Sequence, residues 1–189
     1  MSTRAKKPSK KKSDDSKLPT KAEALKLLKD SGVDASVLAH CQTVSALALK
    51  IGKRCTKPVD LKLIEVAGFL HDIGRSATHG IGHAVEGGKI AKSKKLPEEI
   101  VRIIERHIGA GLTKEDAERL NLPKKSYLPE TLEEKIVAHA DNLLSGTKKV
   151  PIAQTIAGLI RKHEEEGAKR MLSLHKELSE LCGIDLDMI

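Results

Sequence analysis

Apolar residues recur with the spacing of an α-helix from residue 20 almost to the end of the chain. No stretch shows the sustained alternation of apolar and polar residues that marks a half-buried β-strand. Because this pattern leaves no element from which to build a sheet, it predicts an all-α protein. A length of 189 residues fits one helical domain with a single hydrophobic core.

Capping signals, glycines and prolines divide this pattern into separate helices. Thr20 with Glu23 forms a capping box for the first helix, and Asp34 can cap the second. The third helix is apolar on nearly every side, which predicts a central, buried position. The predicted helices cover about residues 20–29, 34–54, 59–71, 84–94, 97–108, 113–120, 130–144, 152–166 and 168–181.

The first 17 residues differ in composition from the rest of the chain. They carry seven Lys and Arg residues against two Asp residues and contain almost nothing apolar to bury. This composition predicts a disordered basic tail at residues 1–17, followed by a helical domain at residues 18–189. The tail supplies +5 of the formal net charge of +8. Contact with nucleic acid is therefore expected only through the Lys-rich tail.

Several classes of protein are excluded by what the sequence lacks. Three widely spaced cysteines without a Cys-x-x-Cys pair are typical of reduced thiols. The longest strongly apolar run, residues 66–70, is too short to cross a bilayer, and the start of the chain has no signal-peptide core. Phe69 and Tyr127 are the only aromatic residues, so the stacking platforms of single-strand binders are missing. We therefore expect a cytoplasmic protein with no membrane segment.

Histidine and aspartate occupy core-facing positions on four of the predicted helices. His40 lies on the apolar stripe of the second helix, and His71 ends the third. His107 and Asp141 face inward on two later helices, and Asp72 follows His71 directly. A buried carboxylate is costly unless it is paired or bound to a cation. Three histidines and two aspartates that face one core therefore predict a shared metal ion rather than five independent hydrogen bonds.

The order of these residues resembles that of a known family. His40, the doublet His71-Asp72 and the distant Asp141 are similar to the pattern of the HD superfamily of metal-dependent phosphohydrolases. The run His-Asp-Ile-Gly at residues 71–74 also resembles the HDIG subgroup. The resemblance implies an HD-type helical bundle with a metal site in its core. The implied parts are a metal-site core at about residues 34–147 and C-terminal helices at about 150–182.

A closer resemblance rests on three segments of the chain. These segments look like a small archaeal HDIG family of unassigned substrate, and they cover residues 18–40, 71–86 and 133–144. His83 and His107 fall where two-metal members of the superfamily carry two more histidines. His79 competes with His83 for this position, and His83 is preferred because Gly87 gives it the His-x-x-x-Gly context of the family.

The resemblance implies two divalent ions with one shared ligand. The implied ligand set is His40, His71, Asp72, His83, His107 and Asp141. Asp72 would bridge the two ions, and a metal-bound hydroxide between them would be the nucleophile. Imidazole and carboxylate ligands together admit Mn, Fe, Co, Ni, Zn or Mg.

The predicted function is hydrolysis of a phosphomonoester or phosphodiester in a nucleotide-like small molecule, with Asp72 and Arg75 as the catalytic residues. Arg75 lies three residues after Asp72, where its guanidinium can reach a phosphate, and a surface salt bridge is the alternative. Fold and ligands also admit a two-iron oxygenase, or a non-enzymatic nucleotide sensor or RNA-associated protein that uses the basic tail. Because aromatic residues are so few, recognition of a base must rely on aliphatic packing and backbone hydrogen bonds.

Other residues near these positions receive less specific predictions. His139 lies two residues before Asp141 and hence on a different side of its helix, and it is predicted to be structural or exposed. The same prediction holds for His163 and His175, which lie in polar or terminal helices. Gly74, just beyond the doublet, is expected to leave room for a substrate.

Overall fold

The computed structural model describes residues 17–189. The predicted tail therefore lies outside the described residues, except for Lys17. Nine α-helices account for most of the described chain and confirm the all-α prediction. They are α1 (Lys21–Asp30), α2 (Ala35–Arg54), α3 (Leu61–Leu70), α4 (His83–Ser93), α5 (Glu98–Arg106), α6 (Lys114–Arg119), α7 (Leu132–Asn142), α8 (Ile152–Arg161) and α9 (Glu165–Cys182).

Five of the nine described helices begin where a side chain accepts hydrogen bonds from free backbone amides. Thr20 and Glu23 form the predicted capping box at α1, and the Asp34 carboxylate accepts from the first amides of α2. Asp60 caps α3 in the same way, which explains why this helix begins two residues later than predicted. Thr113 and Thr131 form further capping boxes at α6 and α7.

Helix α3 lies at the centre of the bundle and packs against α1, α2, α5 and α7. Its side chains Ile64, Val66, Ala67 and Leu70 are fully buried, as its largely apolar sequence predicts. This helix has only ten residues. Within residues 17–189, no helix is both long and apolar enough to span a membrane.

One short hairpin departs from the predicted helix pattern. Helix α7 ends at Asn142 rather than at residue 144, and the strands β1 (Leu144–Ser145) and β2 (Lys148–Lys149) pair in antiparallel fashion. Gly146 has a φ of 61°, which glycine adopts without strain, and it allows the tight turn between the strands. Two-residue strands leave too little alternation to detect in a sequence. The hairpin places Gly146 beside the second helix.

The C-terminal helices were predicted with one wrong boundary. Helix α8 ends at Arg161, and α9 begins at Glu165, so the predicted helix to residue 166 is too long. His163 interrupts it with a φ of 59°, a left-handed conformation that a continuous helix cannot contain. The two helices pack against each other, and α9 also packs against α7.

Candidate metal centre

The structure brings together all six side chains predicted as metal ligands. Their candidate ligand atoms form three overlapping groups, and within each group all atoms lie within 4.8 Å of one another. The six are His40 in α2, His71 at the end of α3, Asp72 directly after it, His83 at the start of α4, His107 at the end of α5 and Asp141 in α7.

Gly74 holds the doublet against the start of α4. It lies in a short 3-10 turn, Ile73–Ser76, that directly follows Asp72. A Cβ atom at Gly74 would stand 1.9 Å from the carbonyl oxygen of His83 and 2.4 Å from the amide nitrogen of Gly87. Only glycine permits this approach of two backbones. The expectation that Gly74 leaves room for a substrate is therefore wrong, because the space is filled by α4.

All four histidines of the cluster are oriented by backbone carbonyls. In each ring the Nδ1–H donates to a carbonyl oxygen, which directs Nε2 towards the other members of the cluster. For His71, His83 and His107 the acceptor lies three residues earlier in the chain, whereas His40 donates to the hairpin. The acceptors of His40, His71, His83 and His107 are the carbonyls of Gly146, Gly68, Gly80 and Ile104, at 2.7–2.8 Å.

The two carboxylate oxygens of Asp72 face different pairs of histidines. Oδ1 lies 3.1 Å from Nε2 of His83 and 3.4 Å from Nε2 of His107. Oδ2 lies 3.7 Å from Nε2 of His71 and 3.9 Å from Nε2 of His40. Asp72 therefore stands between the two histidine pairs with one oxygen directed to each.

Asp141 completes the side of the cluster that contains His40 and His71. Its Oδ1 lies 2.9 Å from Nε2 of His40 and 3.9 Å from Nε2 of His71. Burial by itself would lower the pKa of His40, but the hydrogen bonds with Asp141 and Gly146 and the charges of Asp141 and Asp72 together outweigh it and raise that pKa to about 9. Burial lowers the pKa of His71 to about 4, so this ring is neutral.

Both aspartates are ionised. Burial opposes the charged form of Asp72, yet the surrounding histidines hold the pKa of its carboxyl below the usual range. Burial likewise opposes the charge on Asp141, and the hydrogen bond from His40 contributes to lowering its pKa. The cluster thus presents two carboxylates and four imidazole rings, which is a donor set that suits divalent metal ions.

Two features of the cluster fit a cation in particular. Nε2 of His71 is buried and has no hydrogen-bond partner among the described residues. Nε2 of His83 and Nε2 of His107 lie 3.0 Å apart, although both rings already donate their Nδ1–H groups to carbonyls. Two nitrogens so placed need one proton or one metal cation between them. These donors therefore fit divalent metal ions.

A cleft of about 300 Å³ opens beside the cluster and is lined in part by His40, Asp72, Arg75 and His79. Arg75 donates from Nε to Oδ1 of Asp72 at 3.2 Å and from Nη1 to the carbonyl of His79 at 2.7 Å. Its Nη2 forms no hydrogen bond with another described residue. The His79 side chain is exposed in the cleft and is in none of the ligand groups. Asp34, which the sequence identifies only as a helix cap, also lines the cleft.

Two other histidines form a buried pair that the sequence did not predict. Nε2 of His139 lies 3.0 Å from Nδ1 of His175, whose Nε2 lies 3.1 Å from Oδ1 of Asp185. Burial lowers the pKa of His139 to about 3, so its ring is neutral. The pair joins α7 to α9 and fits the structural role predicted for these residues. A pairing across 36 positions leaves no signal in sequence spacing. His163 is exposed, as expected.

Comparisons with known proteins confirm the resemblance seen in the sequence. A family model for the HD domain matches residues 37–146. An uncharacterised protein of Methanocaldococcus jannaschii is 45% identical over 164 residues, which cover 84% of this chain and 96% of that protein. A tRNA (cytidine(56)-2'-O)-methyltransferase of Picrophilus torridus is 44% identical over 172 residues, which cover 91% of this chain and 50% of the relative.

A solved structure shares the fold. The HD domain of the Listeria monocytogenes phosphodiesterase PgpH, in complex with cyclic-di-AMP, is 19% identical with a TM-score of 0.52, and the match covers 85% of this chain and 96% of that one. The chain spans only about half the length of the Picrophilus relative and of a similarly named one from Thermoplasma volcanium. It spans nearly all of the Methanocaldococcus protein.

Proposed function

The chain belongs to the HD domain family, and we propose that it is a metal-dependent phosphohydrolase that cleaves a phosphomonoester or phosphodiester of a nucleotide-like molecule. The observation that carries the proposal is the position of Asp72. One of its oxygens faces His83 and His107, and the other faces His40 and His71. A carboxylate between two pairs of imidazoles is the arrangement expected of a ligand shared by two cations.

Six residues would hold the cations. His40, His71 and Asp141 would form one half of the site, His83 and His107 the other, and Asp72 would belong to both. Divalent cations bound here would supply Lewis-acid activation of water and neutralisation of charge on phosphoryl oxygens. The backbone carbonyls that accept from the four Nδ1–H groups would keep each Nε2 directed at its ligand position.

Arg75 is the residue proposed to bind the substrate phosphate. Its Nε and Nη1 are used by Asp72 and by the carbonyl of His79, which fixes the guanidinium at the wall of the cleft. Nη2 is left to donate to a phosphoryl oxygen, and a guanidinium held at two points loses little entropy when it does so. Arg75 would thus orient the phosphate beside Asp72 and offset its charge.

The relatives support a nucleotide-like substrate. The structural neighbour is a phosphodiesterase domain in complex with cyclic-di-AMP, and two of the similar proteins are tRNA methyltransferases that contain a matching segment in about half their length. The matching segment forms nearly all of the Methanocaldococcus protein, so it also exists without the remainder. A segment that also occurs within tRNA-modifying enzymes favours a substrate related to RNA or its nucleotides.

The test is a hydrolysis assay with added metals. Purified protein is freed of metal and then supplied separately with Mn²⁺, Fe²⁺, Co²⁺, Ni²⁺, Zn²⁺ and Mg²⁺, with bis(p-nitrophenyl) phosphate, p-nitrophenyl phosphate and a panel of nucleotides as substrates. We expect turnover that depends on metal and is lost in Asp72→Asn. Asp30→Asn, at an exposed position of α1, is the matched control and should hydrolyse like the wild type.

Two further experiments separate the alternative functions. A two-iron oxygenase would lose its turnover when oxygen is removed, whereas a hydrolase would not. A sensor or RNA-associated protein that depends on the basic tail would lose its function on deletion of residues 1–17, whereas the hydrolase should keep most of its activity. If no metal stimulates hydrolysis of any of these substrates, the proposed function is wrong.

A further inference from the structure

A second cavity, of about 260 Å³, lies apart from the cleft and is largely apolar. Its walls include the aliphatic side chains of Ile81, Leu112, Leu120 and Leu159, together with the backbone of residues 109–111. We refer to it as the aliphatic cavity. None of the six candidate metal ligands lines it. An apolar cavity with a few polar groups at its edge is the usual form of a small-molecule site.

The aliphatic cavity adjoins the metal centre through two chain segments. Ile81 precedes His83 by two residues, and Ile108, which also lines the cavity, directly follows His107. Since consecutive Cα atoms are about 3.8 Å apart, these two wall residues lie within about 8 Å and about 4 Å of the Cα atoms of the two histidines. His79 lines the cleft and Ile81 lines the cavity, so the same short segment borders both.

The size and chemistry of the aliphatic cavity suit a nucleobase. Pockets that hold a whole drug-sized ligand measure about 300–1,000 Å³, so this cavity fits only part of a substrate. Aliphatic walls can pack on the two faces of a planar ring. Ala110 lines the cavity, and its amide and carbonyl form no hydrogen bond with another described residue, so both can pair with polar atoms on the edge of the ring. Two basic and two acidic residues, Lys162, Arg170, Asp116 and Glu164, also line the wall, so their charges balance, and Arg170 donates to Asp116.

We infer that the aliphatic cavity binds the base of the substrate while the phosphate lies at the metal centre. This inference rests on the proposed function, because it assumes a nucleotide substrate. It explains how a chain with one Phe, one Tyr and no Trp can recognise a base without aromatic stacking. The ligand expected in the aliphatic cavity is a heterocyclic base whose sugar is directed towards His83 and His107.

A glycine on α9 allows the cavity to be filled without disturbing its walls. A Cβ atom at Gly167 would lie 3.9 Å from Cδ1 of Leu159 and 4.0 Å from Nη2 of Arg170, both of which line the cavity. These are ordinary contact distances, so Gly167→Leu should extend a side chain into the cavity. Gly158 on α8 is the matched control, because a Cβ atom there meets only Arg161 at 3.8 Å and Gly158 does not line the cavity. Replacing a helical glycine also favours folding in both variants.

Binding of 2-aminopurine riboside, a fluorescent nucleoside without a phosphate, tests the inference directly. Fluorescence anisotropy gives its Kd, and a chain without Trp adds little emission of its own. We expect wild-type protein and Gly158→Leu to bind it with equal Kd. We expect Gly167→Leu to raise the Kd at least about tenfold, because the added side chain occupies the place of the ring.

Three results would overturn the inference: no binding of the riboside to the wild type, a Kd unchanged in both variants, or a Kd raised equally in both variants. Displacement of the riboside by decanoate from the wild type and from Gly158→Leu would support the assignment to the cavity, whereas binding of decanoate without binding of the riboside would contradict it. The proposed function is tested separately by metal-dependent hydrolysis of bis(p-nitrophenyl) phosphate, because this substrate contains no nucleobase and does not depend on the aliphatic cavity. Riboside binding involves no hydrolysis.

Discussion

Replacing Gly74 by alanine should displace one half of the metal centre from the other. The new Cβ atom would stand 1.9 Å from the carbonyl oxygen of His83, so the turn after Asp72 and the start of α4 must separate by roughly 1 Å. A functional site tolerates a displacement of only about 0.5 Å. The contact of 3.1 Å between Oδ1 of Asp72 and Nε2 of His83 spans this junction. We therefore expect the His83 side of the site to lose its geometry.

This displacement should lower both the stability of the fold and its affinity for metal. Overpacking of two backbones should lower the free energy of unfolding by about 1–3 kcal/mol. Metal affinity should fall by about 10–100-fold, the usual effect of disturbing the groups that orient a ligand. Urea denaturation without metal measures the first effect, and titration with Mn²⁺ followed by calorimetry measures the second. Gly80→Ala is the control, because a Cβ atom there meets only Thr78 Oγ1 at 3.6 Å.

If Gly74→Ala unfolds at the same urea concentration as the wild type and binds Mn²⁺ with the same affinity, Gly74 does not hold the two halves of the site together. Loss of stability with unchanged metal affinity would show that the turn is needed for packing but does not position Asp72. A similar loss in Gly80→Ala would show that the loop is sensitive to any added methyl group, whatever the distance to α4.

Three further predictions concern other parts of the molecule. Arg75→Lys should raise KM for the best nucleotide substrate about tenfold in steady-state assays, because an ammonium cannot hold Asp72 and a phosphate together as a guanidinium does. Glu134→Ala should lower the free energy of unfolding by about 2–3 kcal/mol in urea, since this buried carboxylate accepts from Arg102 and Arg106. Mn²⁺ at 100 times its Kd should stabilise the wild type by about 2.7 kcal/mol for each ion bound, seen as a higher Tm than in EDTA.

The sequence predicts the helices and their central member well, because both depend on local signals. Asp34 identifies the start of α2 from its own position, and the apolar run of α3 requires burial whatever surrounds it. The convergence of His40, His107 and Asp141 also follows from local periodicity, since each occupies the buried stripe of its own helix. A bundle with one core then brings such residues together.

Other features depend on contacts between distant segments and leave no local signal. The role of Gly74 is set by the backbone of α4, which a sequence pattern cannot place against it. The sequence predicts that Asp34 caps α2 but not that it lines the cleft. The cleft forms only where the hairpin and the turn after Asp72 approach α2. The pairing of His139 with His175 likewise depends on how α9 docks on α7.

The most direct test of the metal centre is the anomalous scattering of a crystal grown with Mn²⁺. We expect two strong peaks, both within about 2.0–2.2 Å of Asp72 oxygens. One should also contact His40, His71 and Asp141, and the other His83 and His107. The absence of any peak at these six residues, in a crystal where they keep the positions described above, would contradict the proposal that they hold metal.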